Sequence, residues 1–136
     1  MALSHKGWSE RQFFYFRVEL ARYRQYVSPL SERFDAMKVK WPIGAVIHHK
    51  KYAYRGVIVS FDPCCQADEG WYRGNRTQPA RDQPWYHVLV DNADTITYVA
   101  EENLEGAMTK EPIEHPLLTQ FFSSYFQGQY YSYSLN

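Results

Sequence analysis

The stretch Asp82–Glu105, DQPWYHVLVDNADTITYVAEENLE, sets two short runs of β-branched and aromatic residues on either side of a polar turn. Trp85 to Val90 and Thr95 to Ala100 have strand composition, and Asn92 to Asp94 between them tolerate the positive-φ positions of a tight turn. Its reading decides the fold. Trp85, Tyr86, His87 and the carboxylates Glu101 and Glu102 are either the raw material of a catalytic centre or the middle of a small binding domain.

Toward the N-terminus, AVIHHK and AYRGVIVSFD are two more strands, short and closely spaced. In the second, Val57, Val59 and Phe61 alternate onto one face, which predicts that face to be core. Gly56 within the run marks a bulge or a close backbone approach. Pro63 to Pro84 is the longest irregular stretch and is expected to be a long exposed loop, a common place for function. Trp71 and Tyr72 lie within it, either exposed for contact or pinning the loop to the domain.

Short strands joined by tight turns around one long loop predict a mainly β fold, a small half-open barrel. Ahead of it, Phe13, Phe16, Leu20, Tyr23 and Val27 recur at spacings of three and four, which predicts a helix from about Ser9 to Tyr26, with a second short helix in LSERFDAMKV. After it, EHPLLTQFFSSYF predicts a short C-terminal helix with Pro116 in its first turn. The tyrosine-rich tail QGQYYSYSLN is either a low-complexity extension or an extended strand laid on the barrel.

With 136 residues the chain is one ordinary domain. Its two cysteines, Cys64 and Cys65, are adjacent and poorly placed to bridge, so an intracellular, reducing compartment is expected, cytoplasm or nucleus rather than secretion. No apolar run has membrane-spanning length, and no membrane partner is expected. Net charge is zero but uneven: Met1 to Ser60 holds 11 Lys and Arg against 4 Asp and Glu, while the remainder holds 4 against 11. The two halves either attract each other within one fold or steer a charged partner.

Catalysis has little specific support. A thiol nucleophile needs a base and a lowered pKa, and Cys64 and Cys65 follow Asp62 in acidic company. His48 and His49 are consecutive on a strand, so they point to opposite faces and cannot grip one ion. No phosphate-binding glycine loop or nucleophile elbow is present, and no cofactor is expected. Binding is better supplied. The run HHKKYAYR interleaves cations with Tyr52 and Tyr54, a pairing that suits phosphates and bases, although alternation would put Lys51 and Arg55 opposite the tyrosines.

These residues carry a family resemblance. IGAVIHHKKYAYRGVIVSFDP, QPWYHVLVD and TYVAEENLE, with EPIEHPLLTQFF beyond them, resemble the YccV-like domain, the module of bacterial heat-shock protein Q, also called the hemimethylated DNA-binding domain. The pattern is similar to the form of that domain at the C-terminus of a eukaryotic F-box-only protein. The resemblance implies an SH3-like half-open β-barrel over residues 40–126, preceded by a helical extension at 1–39 and followed by a tyrosine-rich tail at 127–136. Met1 to Val39 shows no F-box pattern, which takes away the usual attachment of a ligase role.

The resemblance also implies binding without catalysis. A protein partner is the first expectation, with the chain as an adaptor or modulator in protein degradation and quality control or as a subunit of a larger assembly; duplex DNA, hemimethylated or not, is the alternative. The candidate contact residues are His48, Lys51, Tyr54 and Arg55, then Trp71, then Gln83, Trp85, Tyr86 and His87, with at least one aromatic of that last group expected to be accessible.

Overall fold

The computed structural model describes residues 39–133. The helices expected from Ser9 and from Leu30 fall outside the described residues, apart from Val39 at the edge. Among the described residues, no helix is long and apolar enough to cross a membrane.

Five strands form one antiparallel sheet: β1 (Val46–His49), β2 (Arg55–Asp62), β3 (Trp85–Val90), β4 (Ile96–Ala100) and β5 (Leu104–Gly106), in the order β4-β3-β2-β1-β5. A helix α1 (Glu69–Arg73) interrupts the long loop between β2 and β3. A one-turn helix α2 (Leu118–Phe121) follows the sheet, and a hairpin of β6 (Ser124–Phe126) and β7 (Gln129–Tyr131) ends it. The turn between β3 and β4 places Asn92 at φ 58, the left-handed conformation that Asn accepts readily.

The connection from β4 to β5 shapes the sheet. β4 lies on one edge and β5 on the other, yet only a 3-10 turn, Glu101–Asn103, joins them. In a flat sheet the first and fifth strands would be roughly 19 Å apart. Four residue steps reach about 14 Å fully extended, and a 3-10 turn of this length advances only about 6 Å. The sheet must therefore bend until its edges approach. Among the described residues no hydrogen-bonded register joins β4 to β5, so the ladder stays open.

Both faces of the bent sheet are buried. Ile47, Ile58, Tyr86, Val88, Val99 and Leu104 bring side chains from all five strands into one apolar cluster. The opposite face carries Val46, Val57, Val59, Trp85, Leu89 and Tyr98, and it is covered by Cys65 and Ala67 from the long loop and by Ile113, Phe121, Phe122 and Tyr130 from the C-terminal segment. One-sided alternation is therefore the wrong description of β2. The register shifts by one residue between Ile58 and Ser60, a bulge at Val59 that turns Phe61 away from Val57 and Val59 and onto the cluster of Ile58 and Tyr86.

Two glycines permit close approaches. A Cβ at Gly56 would stand 2.5 Å from Val88 Cγ1 and 2.6 Å from the Leu89 carbonyl, so the glycine marks tight packing while the bulge lies three residues on. Gly44, at φ +94, would place a Cβ 2.1 Å from the Tyr130 carbonyl. There the tyrosine-rich segment crosses the entry to β1: the Tyr130 N–H donates to the Gly44 carbonyl at 2.8 Å. Of the two readings of that segment, residues 129–131 take the strand.

Gly56→Ala is expected to cost about 1–3 kcal/mol in urea unfolding, because backbone and Val88 must both move. Gly70→Ala, whose Cβ meets nothing nearer than Asp68 Oδ1 at 3.5 Å, is expected to change stability by less than about 0.5 kcal/mol. Equal effects would show that the β2–β3 approach is not tight.

Candidate functional site

The conspicuous residues of Asp82–Glu105 face one another across β3 and β4, where Trp85 pairs with Ala100, Tyr86 with Val99 and His87 with Tyr98. Trp85, Tyr86 and His87 are 2%, 0% and 1% exposed, so none of the three offers a surface to a partner, and the expectation of an accessible aromatic there is corrected. The bend covers the Tyr86 face of β3, and the long loop and C-terminal segment cover the Trp85 face, so alternation along the strand leaves no outward side.

These side chains hold the fold. The Tyr86 hydroxyl donates to Glu101 Oε2 at 2.6 Å and accepts from the Trp41 N–H, while the Lys40 N–H donates to the same carboxylate oxygen. Burial, reinforced by the Glu101 carboxylate, pushes the Tyr86 phenol above its ordinary range. Gln83 clasps Glu102 twice: its amide nitrogen donates to Glu102 Oε1 at 2.8 Å and its oxygen accepts from the Glu102 N–H at 3.0 Å. Both carboxylates thus fasten the 3-10 turn that bends the sheet.

His87 lies on the opposite face beside Ser60, whose Oγ is 2.8 Å from Nδ1, and beside Tyr98, whose ring centroid is 4.6 Å away. The Tyr98 hydroxyl donates to Asp62 Oδ2 and accepts from the Gln66 N–H. Serine, histidine and aspartate do come together here, but Ser60, Asp62 and His87 are all buried. Burial holds His87 at about 4, against the opposing pull of Asp62, so the ring is neutral near pH 7. Burial likewise pushes the Cys65 thiol up, away from thiolate reactivity. Cys64 is exposed, and both cysteines are free. Among the described residues no three His, Cys, Asp or Glu side chains converge as a metal set.

The basic and aromatic run after Ile47 breaks up. His48 pairs with Glu105 across to β5, with Nδ1 2.8 Å from Oε2. Lys51 and Tyr52 stand on the turn between β1 and β2, Lys51 exposed and Tyr52 half-buried. The Tyr54 hydroxyl is 2.7 Å from Thr97 Oγ1, inside the fold. Arg55 donates to Asp91 Oδ2 at 3.0 Å and to the Glu111 carbonyl, strapping the segment after β5 to the sheet. Lys51 and Arg55 therefore form no common cationic stripe, because strand geometry ends at His49 and resumes only at Arg55.

The long loop is tied down as well. Asp68 caps α1 by accepting from the Trp71 N–H at 2.8 Å, the Tyr72 hydroxyl donates to the Pro79 carbonyl, and the Arg81 guanidinium covers the Tyr72 ring. Trp71 lies against Trp85 and Tyr98, with centroids 6.4 and 5.8 Å away. Between this loop, the β1–β2 turn and the 3-10 turn runs a groove lined by Tyr52, Trp71, Trp85, Tyr98, His49 and Asn103 among others, with a volume of about 40 Å³. Of the candidates named from sequence, the groove gathers Trp71 and a wall of Trp85. His49, Tyr52, Tyr98 and Asn103 gain their place from long-range folding and show no local signal of it.

A family model described as hemimethylated DNA-binding protein YccV-like matches residues 39–129. F-box only protein 21 of Mus musculus is 36% identical over 96 residues, which cover 68% of this chain and 15% of that protein. The Homo sapiens protein of the same name is 35% identical over the same coverage. The chain thus spans about 15% of the length of these curated relatives.

His49 and His87 both titrate in the fold at about 4 instead of 6.5. The unfolded chain takes up protons first, so stability is full above 6.5 and is lost as pH falls toward 4. His87 alone accounts for roughly 3 kcal/mol of that loss. Urea unfolding across the window should show this slope, and His87→Gln should remove one ring's share of it whatever its absolute stability. A flat profile in the parent protein would show that these rings are not buried neutral.

Proposed function

The chain belongs to the YccV-like family, and from that membership we propose a non-enzymatic module that presents a half-open, SH3-like barrel over residues 40–126 to a protein partner. One observation carries the reading. Ser60, His87 and the thiol of Cys65 are buried, whereas large apolar side chains stand outside: Phe126 is 64% exposed and Tyr131 49%. Both project from one face of the β6–β7 hairpin, where Ser124 pairs with Tyr131 and Phe126 with Gln129. The opposite face, Tyr125 and Tyr130, packs on the core. Exposed aromatics on a rigid hairpin are the usual anchors of protein interfaces.

The names of the relatives, F-box only proteins, support a role in selecting or presenting proteins for degradation. Two free cysteines, one of them exposed, support a reducing intracellular location. Recognition of duplex DNA is the second reading, favoured by the description of the family. Charge weighs against it. Residues 39–133 hold 8 Lys and Arg against 11 Asp and Glu, and Arg55, Arg73 and Arg81 are already ion-paired.

Cross-linked capture from cell extract should recover a discrete partner with the parent protein and lose most of it with the double variant Phe126→Ser, Tyr131→Ser, while thermal unfolding stays close to that of the parent. Fluorescence anisotropy with duplex DNA should show no binding at low salt. DNA binding that weakens steeply with salt, together with capture unaffected by the double variant, would replace this reading with the DNA one.

A further inference from the structure

The groove beside α1 combines aromatic walls with an unusual hydrogen-bond inventory. His49 Nδ1 accepts from the N–H groups of Lys51 and Tyr52, both at 3.1 Å. A ring nitrogen that accepts two backbone donors carries no proton, so the neutral ring holds its proton on Nε2 as a donor. The Trp71 indole N–H, which can only donate, is buried without a partner among the described residues. A buried donor left unpaired is costly, and an incoming acceptor relieves it. No Asp or Glu lines the groove, and Lys51 lies close enough for its charge to act on His49.

Size narrows the ligand. A volume of about 40 Å³ is small beside the roughly 300–1,000 Å³ of cofactor and drug sites. One small group suits it. Two donors and a neighbouring ammonium match a planar group with two acceptor oxygens and a negative charge. No arginine lines the groove to supply the fork that phosphate favours.

We propose that this groove captures a carboxylate presented by a peptide, with Trp71 Nε1–H and His49 Nε2–H donating to its oxygens and Lys51 contributing charge. The peptide setting rests on the protein-binding reading; the carboxylate site itself does not. The source is the free C-terminus of a peptide or an acidic side group within it, and the two share this chemistry.

The test is nitrogen-15 NMR of the 136-residue chain, following the tryptophan indole N–H resonances, with that of Trp71 identified by its loss in Trp71→Phe. Acetate should shift the Trp71 resonance and leave the Trp85 resonance in place. Peptides then separate the sources: a free C-terminus against its amide, and an internal Glu against Gln. The carboxylate form of one pair should bind at least about tenfold tighter. Trp71→Phe, which keeps the ring wall, should lower that affinity by a similar factor with the spectrum otherwise preserved, and Lys51→Gln should lower it less. Acetate that leaves Trp71 unmoved, acid and neutral peptides that bind alike, or a Trp71→Phe variant that binds unchanged would each overturn the proposal. Acetate and peptide binding without any partner captured by the β6–β7 hairpin would keep the groove and discard the hairpin interface.

Discussion

The structure depends on a short tether. The 3-10 turn Glu101–Asn103 carries the backbone from one edge of a five-stranded sheet to the other, over a distance a flat sheet would not permit. Curvature follows from that constraint. Here the bent face gathers one apolar cluster from every strand, while the outer face is covered by the long loop and the C-terminal segment.

The motif residues are best understood as fasteners of that tether. Tyr86 and Gln83 hold the two carboxylates of the turn, and Tyr86 also receives the backbone entering at Trp41. Tyr98 and His87 do the same for the outer face, joining β4 to Asp62 and to the start of the loop. A dense cluster of titratable and aromatic side chains resembles an active site in sequence; in space Ser60, Asp62, Tyr86 and His87 are buried and engaged with their neighbours, while Gln83 and the turn carboxylates lie nearer the surface. The groove beside Trp71 is different, because the buried Trp71 indole N–H has no partner among the described residues.

Strand composition and turn chemistry made β1 to β4 legible, and Asn92 announced the turn between β3 and β4 through its tolerance of positive φ. The bulge at Val59 was not legible, since a single inserted residue leaves local alternation intact and only the register with β3 reveals it. Burial of Trp85, Tyr86 and His87 was hidden for a related reason. Strand alternation assigns residues to two faces but does not say that both are covered. The exposed loop was half legible: its length and prolines were visible, and Asp68 capping α1 through Trp71 is a local signal within it, whereas Arg81 holding Ala67 needed a partner distant in sequence. The groove was least legible of all, being assembled from four segments whose only common feature is where the bend brings them.

The fold presents a bent sheet with Ser60, Asp62 and His87 buried, aromatics outward on the β6–β7 hairpin and a groove beside Trp71. The bend is what the rest depends on. Methyl-labelled NMR can measure it through NOEs between Val99 on β4 and the pair Ile47 and Leu104 on β1 and β5. The account predicts direct cross-peaks within one methyl cluster. Their absence, with Val99 on one side and Ile47 and Leu104 on the other at the roughly 14–19 Å spacing of a flat sheet, would contradict it.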